Sequence, residues 1–279
     1  MSFSESLVPN PQSTIQYLDT HCHIHDSEFA DKSDISADEI IARAREAGVD
    51  TLICVGTSLK SSIEALEFTS SRDNCYFSIA LHPHEAENYS EAELMTQMDK
   101  LEKIASSKPD KLVAIGECGL DYYYHSDKSV HVKQEKLFRR HLKIAQKANL
   151  PLIFHIRDAF DDFFRILDYY EGIRGVVHSF SATSKELEGV LSRGLYVGLN
   201  GIMTFTSDQK QLDAAKLVPL ERLLLETDAP FLTPKPFRGT MCEPKHVSVT
   251  AEFLSKLRGE SLDDIAKTTS DNAKKLFKL

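Results

Sequence analysis

Short apolar runs rich in β-branched and aromatic residues recur along this chain and alternate with longer segments of helical periodicity. Eight such runs lie at Gln16–Asp19, Thr51–Gly56, Tyr76–Leu81, Leu112–Glu117, Leu152–His155, Gly175–His178, Leu195–Leu199 and Leu223–Asp228. Because a helical segment rather than a tight turn separates consecutive runs, neighbouring strands should pair in parallel. This alternation predicts a closed (β/α)₈ barrel of the TIM type, with an open doubly wound sheet as the alternative.

The helical segments carry recognisable start and stop signals. Three starts match the capping box, in which a Ser or Thr and a later Glu satisfy free amides of the first turn: Ser36–Glu39, Ser90–Glu93 and Thr183–Glu186. Gly48 and Gly194 stand where helices should end. Leu137–Ala148 is the clearest amphipathic segment. Glu243–Leu257 and Ser261–Leu279 predict the last barrel helix and an extra C-terminal helix that covers the barrel.

One domain is expected after a short extension. No repeat, low-complexity tract or linker follows residue 16, so residues 1–16 predict an N-terminal extension and residues 17–279 a single barrel domain. The extension has neither the basic region nor the apolar stretch of a secretory signal, and no later run is long enough to span a bilayer. Five widely spaced cysteines without a CxxC pair favour reduced thiols. We therefore expect a cytoplasmic protein without membrane association.

The formal net charge of −9 restricts how the chain can meet nucleic acid. Nonspecific duplex binding depends on phosphate neutralisation, so the charge argues against a protein that coats nucleic acid through a basic surface. A phosphate-ester substrate would need cations held locally, and bound metal ions are one source of them.

Potential metal ligands and other histidines lie where the apolar runs end. They are His21 and His23 after the first run, His82 and His84 after the third, Glu117 at the fourth, His155 at the fifth, His178 at the sixth and Asp228 at the eighth. In this barrel the carboxyl ends of the strands form the rim that carries the active site. Taken singly, these residues have ordinary explanations as core or surface histidines, helix caps or ion pairs with Arg157 or Arg238. A shared metal site explains them together.

The number of candidate ligands favours two metal ions. One catalytic zinc needs roughly three or four protein ligands, whereas four histidines and two carboxylates suit two divalent cations bridged by a carboxylate and a water. His21 and His23 project to the same face of an extended strand and can hold one ion. The nitrogen-rich set favours zinc or manganese, and the carboxylates leave magnesium open.

A set of motifs, spread from Tyr17 to Phe277, resembles the TatD-type metal-dependent deoxyribonucleases. The motifs are Asp19-Thr-His-Cys-His23, Leu81-His-Pro-His84, Gly116-Glu-Cys-Gly-Leu-Asp-Tyr122, Phe154-His-Ile-Arg-Asp158, His178-Ser-Phe-Ser181, Glu226-Thr-Asp-Ala-Pro-Phe231 and Phe237-Arg-Gly239 followed by Glu243-Pro244. The resemblance implies an amidohydrolase-type barrel that hydrolyses DNA, often from the 3′ end, with roles in DNA repair and fragmentation.

The resemblance also implies how the ligands divide. His21, His23 and Asp228 would serve one ion, His155 and His178 the other, and Glu117 would bridge them. Single-stranded DNA or 3′ ends would be the substrate, and no obligate protein partner is expected.

The catalytic hypothesis assigns roles to six residues around the scissile phosphate. Two metals would lower the pKa of a bridging water held with Glu117, and Asp228 would orient that water and accept its proton. Arg157 and Arg238 are candidates to bind phosphate oxygens, with a salt bridge to Asp158 as the alternative for Arg157. His82 would assist at the leaving group, and His84 is divided between substrate contact and a structural role.

Two features depart from the motif or extend it. Related sequences often continue H-x-H with an apolar residue and then Asp, whereas here His25 takes that place and Asp26 follows. His25 predicts an exposed loop histidine, with a place beside the substrate as the alternative. Tyr122–Tyr124 predict packing, with stacking on an unpaired base as the alternative. Two other functions stay open: an amidohydrolase-type hydrolase of a small ester, lactone or amide, and a noncatalytic metal-binding or partner-docking barrel.

Overall fold

The fold is a barrel of parallel strands, and the structure, a computed structural model, describes residues 15–27, 35–124 and 127–279. Of the predicted N-terminal extension, residues 1–14 lie outside these ranges. The strands are β1 (Tyr17–Cys22), β2 (Val49–Val55), β3 (Cys75–Ile79), β4 (Leu112–Asp121), β5 (Leu152–Arg157), β6 (Gly175–Val177), β7 (Tyr196–Leu199) and β8 (Leu223–Leu225). They form one sheet in the order β1 to β8, and every neighbouring pair is parallel. All eight predicted strands are confirmed, with ends that shift by a few residues.

Backbone hydrogen bonds join β1 to the segment after β8. The Asp228 amide donates to His21 O at 2.8 Å, and the His23 amide donates to Ala229 O at 2.7 Å. Cys22 and Ala229 form a parallel bridge between these bonds. Because the last strand region pairs with the first, the sheet closes into the predicted (β/α)₈ barrel and is not an open doubly wound sheet.

A buried carboxyl group reinforces this closure. Asp19 is fully buried, and its Oδ1 accepts hydrogen bonds from the amides of Thr227 at 2.9 Å and His21 at 3.2 Å. The Thr227 hydroxyl lies 2.6 Å from Asp19 Oδ2. Burial raises the pKa of Asp19 to about 8, even though these hydrogen bonds act in the opposite direction. One side chain therefore connects the two ends of the barrel sheet and holds the backbone that carries His21.

Helices lie between the strands and cover the outside of the barrel. In the described ranges they are α1 (Ala37–Glu46), α2 (Leu59–Ser70), α3 (Glu85–Asn88), α4 (Glu91–Ser107), α5 (Lys128–Ala148), α6 (Phe160–Leu167), α7 (Ser184–Ser192), α8 (Gln209–Leu217), α9 (Val247–Arg258) and α10 (Leu262–Phe277), with 3₁₀ turns at Gly201–Thr204, Leu220–Arg222 and Pro244–His246. No helix in this part of the chain is both long and apolar enough to cross a membrane.

Two of the three predicted capping boxes are complete. Ser90 and Thr183 each accept a hydrogen bond from the first turn, and the carboxylate of the Glu three residues later accepts one from the cap amide. Ser36 caps α1 through the amide of Glu39, but the Glu39 carboxylate bonds to Arg43 instead, at 2.8 Å. The third box is therefore only a serine cap, because an arginine one turn later competes for the carboxylate.

The helix stops agree with the sequence, and one helix is longer than predicted. Gly48 and Gly194 follow α1 and α7 with φ of 81° and 70°, the left-handed conformation that glycine adopts without strain. The predicted segment Leu137–Ala148 is only the second half of α5, which begins at Lys128 with Asp127 as its N-cap. The first half of α5 carries few apolar residues, so its helical period was not visible.

The C-terminal helix α10 closes the amino end of the barrel. Leu276 and Phe277 are buried in one cluster with strand residues such as Leu18. Ser270 donates to the carbonyl that precedes β1, and Asn272 donates to Leu223 O at the start of β8. Burying a large apolar side chain in this way contributes about 1.5–3 kcal/mol. The predicted covering role of this helix is confirmed, and it leaves the opposite rim open.

A buried histidine of α5 supports the loop that follows β3. His141 Nε2 accepts a hydrogen bond from the Leu81 amide at 3.0 Å, and its Nδ1 lies 2.8 Å from Leu137 O. Burial lowers the pKa of His141 to about 4, so the ring stays neutral near pH 7 with Nδ1 as donor and Nε2 as acceptor. The loop carrying His82 is thereby tied to α5.

We predict that His141 contributes to unfolding in acid. The unfolded histidine binds a proton near pH 6.5 and the folded one only near pH 4, so the unfolded state carries more protons in this window. Stability should fall as the pH drops through it, by up to about 1.4 kcal/mol per unit from this group. Urea unfolding of chelator-treated protein near pH 7 and about pH 5 would measure this.

The variant His141→Leu provides the comparison. It should be less stable near neutral pH by about 1–3 kcal/mol, because the buried Leu81 amide loses its acceptor. It should also lose less stability on acidification than the wild type. An identical pH dependence in the two proteins would show that His141 does not titrate as described.

Candidate metal centre

The six predicted metal ligands converge at the carboxyl end of the barrel around one carboxylate. They are His21 of β1, His23 just after it, Glu117 of β4, His155 of β5, and His178 and Asp228 in the turns after β6 and β8. Glu117 is 4% exposed, and the other five residues are buried or only partly exposed. The common rim of a parallel barrel brings these sequence-distant groups together.

The two oxygens of Glu117 face different groups of ligands. Oε2 lies 3.4 Å from His21 Nε2. Oε1 lies 2.7 Å from His155 Nδ1 and 3.0 Å from His178 Nε2. A carboxylate that presents one oxygen to each of two nitrogen groups has the arrangement required to bridge two cations.

The first group contains two imidazole nitrogens that point at each other. His21 Nε2 and His23 Nε2 are 3.1 Å apart, and Asp228 Oδ1 lies 3.5 and 3.4 Å from them. His23 Nδ1 lies 2.8 Å from Val55 O, which places its proton there and leaves a lone pair on Nε2. The buried His21 Nδ1 has no hydrogen-bond partner among the described residues. Converging lone pairs and a carboxylate oxygen fit a transition-metal cation.

The second group includes His82, which the sequence predicts to contact the substrate. His82 Nε2 lies 3.5 Å from Glu117 Oε1, and its ring centroid is 4.4 Å from that of His155. His82, Glu117 and His155 together are spaced closely enough to hold one ion. Burial and the neighbouring His155 lower the pKa of His82 to about 4, so the ring is available as a neutral ligand. The structure thus places His82 within reach of a metal as well as of a substrate.

The charges around Glu117 favour its ionised form. Burial raises its pKa, but His178, His82 and hydrogen bonding from His155 outweigh this effect and hold the pKa well below its usual range. Burial lowers the pKa of His178, and the carboxylates of Glu117 and Glu226 reverse that shift. Buried carboxylates balanced by imidazoles in this way are ready to exchange imidazole protons for cations.

Two buried carboxylates outside the predicted set position the histidines. Asp121 Oδ2 lies 3.0 Å from His155 Nε2, so this nitrogen donates and Nδ1 faces Glu117. Glu226 Oε1 lies 3.3 Å from His178 Nδ1. Such carboxylates fix the ring orientation of a ligating histidine. Strand parity could have identified both, because Asp121 and Glu226 precede or follow a predicted ligand by an even number of residues.

Glycines provide space for this packing. A Cβ at Gly119 would lie 2.1 Å from His155 O, and the residue adopts φ of 149°. A Cβ at Gly198 would lie 2.3 Å from Glu226 Oε2. The backbone of Asp228 has φ of 63°, a conformation that Asp tolerates better than most residues and that is stabilised here by the β1 contact. Close approach of neighbouring strands is thus part of the site.

The metal centre opens into a cavity of about 960 Å³. Its polar side includes His84, Glu85, Arg157, Ser179 and Ser181, and its apolar side includes Ile202, Pro230, Phe231, Leu232 and Met241. The volume is at the upper end of ordinary ligand sites, which span about 300–1,000 Å³. The cavity therefore accommodates a substrate larger than a single small acid or amide.

The two candidate arginines occupy different positions. Arg157 lines the cavity, and its guanidinium lies 3.7 Å above the ring of Tyr123. Arg238 donates to Thr233 O at 2.9 Å, packs 4.0 Å above the ring of Phe205 and is not among the lining residues in the described chain. Substrate binding by Arg238 stays a prediction with no support from its position, since its charge is used to hold the loop after β8.

The prediction for His25 is wrong. This residue is 7% exposed, and its Nε2 lies 3.1 Å from the hydroxyl of Ser61 in α2. The chain turns after β1, with the Asp26 amide donating to His23 O, and so directs His25 inward. The expectation treated this turn as exposed to solvent, whereas α2 packs over it, with Ser61 at His25 Nε2 and the Phe68 ring centroid 6.5 Å from that of His25.

The three consecutive tyrosines differ in burial: Tyr122 is packed against the protein, whereas Tyr123 and Tyr124 are exposed. Tyr122 stacks on His131 with centroids 3.7 Å apart, and its hydroxyl donates to Asp162 at 3.0 Å, as the packing interpretation predicts. Tyr123 and Tyr124 are 58% and 61% exposed. Packing therefore explains only the first of them.

Comparison with known proteins covers the whole barrel. A family model described as TatD related DNase matches residues 18–278. The uncharacterized metal-dependent hydrolase YabD of Bacillus subtilis is 35% identical over 264 residues, covering 94% of this chain and 99% of that protein. The 3′-5′ ssDNA/RNA exonuclease TatD of Shigella flexneri is 34% identical over 270 residues, covering 93% and 98%. The crystal structure of YjjV, a TatD homologue from Escherichia coli K12, has a TM-score of 0.84 at 29% identity, covering 94% and 98%.

We predict that Asp121 controls metal affinity through His155. Removing the carboxylate in Asp121→Ala frees the His155 ring to rotate and should weaken binding of zinc or manganese by about 10–100-fold. Calorimetric titration of chelator-stripped protein would measure the change. Asp168→Asn is the control, because Asp168 is an exposed carboxylate paired with Arg193 outside the cavity. Equal metal affinity in the Asp121 variant and the wild type would rule out the positioning role.

Proposed function

The chain belongs to the family of TatD-related DNases and is a metal-dependent hydrolase, and from this premise we propose that it hydrolyses DNA phosphodiester bonds from the 3′ end. The observation that carries the proposal is the bridging placement of Glu117, with one oxygen toward His21 and the other toward His155 and His178. Two cations that share one carboxylate would suit phosphodiester cleavage, in which both the attacking and the leaving oxygen carry charge.

The proposed metal site uses the two groups around Glu117. His21, His23 and Asp228 would hold one divalent ion, and His155 and His178 the other, with His82 within reach of the second. Zinc, manganese and magnesium are the candidate ions. When bound, the ions supply the charge that lowers the pKa of an attacking water and neutralises the phosphate.

The proposed proton acceptor is Asp228. Burial raises its pKa, but the hydrogen bond from His23 and the nearby charges of His178 and His21 lower it, so the carboxylate is ionised. Asp228 also lines the cavity, where an attacking water would approach the substrate. An ionised carboxylate at this position can orient the water and take its proton.

The proposed phosphate contact is Arg157 at the cavity wall. Its guanidinium can donate two parallel hydrogen bonds to phosphate oxygens. A local cation is needed because the whole chain carries a formal charge of −9, which repels a polyanion at long range. The 3′-to-5′ polarity rests on the relative from Shigella flexneri, which is named as an exonuclease on both single-stranded DNA and RNA. Acting in the cytoplasm on such ends, the enzyme would serve DNA repair or DNA degradation.

A small ester, lactone or amide is the second candidate substrate. The apolar half of the cavity wall, with Phe231, Leu232 and Met241, favours it because such a wall suits an uncharged substrate. The relatives named metal-dependent hydrolase and exonuclease weigh against a noncatalytic metal-binding or partner-docking barrel, which would bind metal without turnover of any of these compounds.

We predict that activity on DNA requires the metal centre. Chelation should abolish cleavage, and added zinc, manganese or magnesium should restore it to different extents. Glu117→Ala should lose the bridging carboxylate, and Asp228→Asn the proton acceptor, each with a loss of about 10²–10⁴-fold in kcat/KM. Thermal unfolding would confirm that both variants fold. Glu91→Gln, an exposed carboxylate paired with Lys136, should keep full activity.

The product ladder decides between the candidates. Oligonucleotides labelled at the 5′ end should yield a ladder that shortens stepwise from the 3′ end, with single strands cut faster than duplexes. A chelated enzyme that cuts DNA at full rate would refute the metal mechanism. Turnover of an ester, lactone or amide with no cleavage of DNA or RNA would replace the nuclease by the second candidate.

A further inference from the structure

Two exposed tyrosines and an arginine form a patch at the edge of the cavity, defined here as the tyrosine–arginine patch: Tyr123, Tyr124 and Arg157. The tyrosine rings meet at 88° with centroids 4.9 Å apart. The Arg157 guanidinium lies 3.7 Å from the centroid of Tyr123 and 5.0 Å from that of Tyr124, and it donates to the Tyr124 hydroxyl at 3.3 Å. The patch is ordered by its own contacts although both rings are exposed.

The patch is continuous with the proposed active site. Arg157 lines the cavity, and so does His84, whose ring lies 5.4 Å from that of Tyr124. The amide of Tyr123 donates to Asp121 Oδ1 at 3.0 Å. The other oxygen of Asp121 contacts His155 and His84. The same carboxylate therefore positions a proposed metal ligand and the backbone of an exposed aromatic residue.

The residue that precedes the patch, Tyr122, is held in place by backbone and side-chain contacts. The Tyr122 amide donates to Arg157 O at 2.9 Å, which continues the β4–β5 pairing to the edge of the patch. Tyr122 itself is stacked on His131 and bonded to Asp162. Tyr123 and Tyr124 are thus presented from a rigid support, which reduces the entropy that would be lost on binding a planar ligand.

The chemistry of the patch fits an unpaired nucleobase. Base stacking on an aromatic side chain contributes about 1–3 kcal/mol per base and is available only to bases that are not already stacked within a duplex. A net charge of −9 opposes a strand at long range, whereas stacking is not weakened by that charge. Arg157 adds a cation that can reach a phosphate beside the stacked base.

We propose that the tyrosine–arginine patch is a subsite for one unpaired nucleobase close to the scissile phosphate, with Arg157 on the adjoining phosphate. The proposal rests on the proposed nuclease function and adds a source of selectivity for single strands. One of the two tyrosine rings stacks on the base, and the other, which is perpendicular to it, contacts the edge of the base. They take no part in the chemistry, so their loss should raise KM and leave kcat largely unchanged.

Steady-state kinetics with metal-loaded enzyme and a single-stranded oligonucleotide would test the subsite. Tyr123→Ala/Tyr124→Ala should raise KM by roughly 10-fold or more, while the double Phe variant should stay close to the wild type, because it keeps both aromatic faces. Tyr169→Ala is the matched control. Tyr169 is 75% exposed and has its own guanidinium, that of Arg139, 5.9 Å from its ring, outside the cavity lining.

Abasic substitutions then locate the base. An abasic site moved one position at a time along the oligonucleotide should raise the wild-type KM strongly at one position near the cut. The double Ala variant should show no further loss there, because the base and the tyrosines act as one interaction. The fluorescence of an oligonucleotide that carries 2-aminopurine at this position would report stacking in chelator-treated protein. Comparing its affinity for the wild type and for the double Ala variant provides a measurement that does not depend on turnover.

Salt dependence separates stacking from charge. Arg157→Ala should reduce the dependence of log affinity on log salt concentration by about 0.7, the value for one phosphate contact on a single strand. The double Ala variant should leave that slope unchanged. Equal KM values for the double Ala variant, Tyr169→Ala and the wild type, with cleavage intact, would overturn the subsite while the nuclease proposal stands. A wild type that neither binds nor cuts any oligonucleotide would overturn both.

Discussion

The buried carboxylate of Glu117 is the group on which the rest of the site depends. A carboxylate removed from water is costly unless positive charge or a metal balances it. In this barrel the balance comes from imidazoles on four separate strands or strand ends. Each of them is at least 35 residues from Glu117 along the chain, and only the fold brings them to it. Because parallel strands all end at one rim, closing the sheet and assembling the site are the same event.

Hydrogen bonds that a second set of carboxyl groups accepts make that assembly rigid. Asp121 orients His155, Glu226 lies beside His178, and Asp19 holds the His21 backbone against Thr227. Each connects a proposed ligand to a neighbouring strand. A metal site supported in this way loses little freedom when an ion binds, which favours tight and geometrically defined coordination.

If an acidic protein such as this one hydrolyses a polyanion, as we propose, it needs attraction at short range. Glu117, His155 and Arg157 line the cavity, and the exposed rings of Tyr123 and Tyr124 contact Arg157. Metal charge and stacking operate over a few ångströms, whereas the net charge acts over a Debye length of about 8–10 Å. Such a surface favours a strand whose phosphate and bases reach the cavity over one that merely approaches the protein.

The alternation of strands and helices, together with the ligand motifs, determined the barrel and the six groups that meet at its rim. Those features are local patterns, and residues such as Glu117 lie within them. The sequence did not reveal that His25 turns inward, that Asp121 supports His155, or that Arg238 is held by Thr233. Only the tertiary structure decided these points. Strand parity indicates that Asp121 faces the site but not which histidine it contacts, and the directions of His25 and Arg238, which follow strand ends, depend on what packs against them.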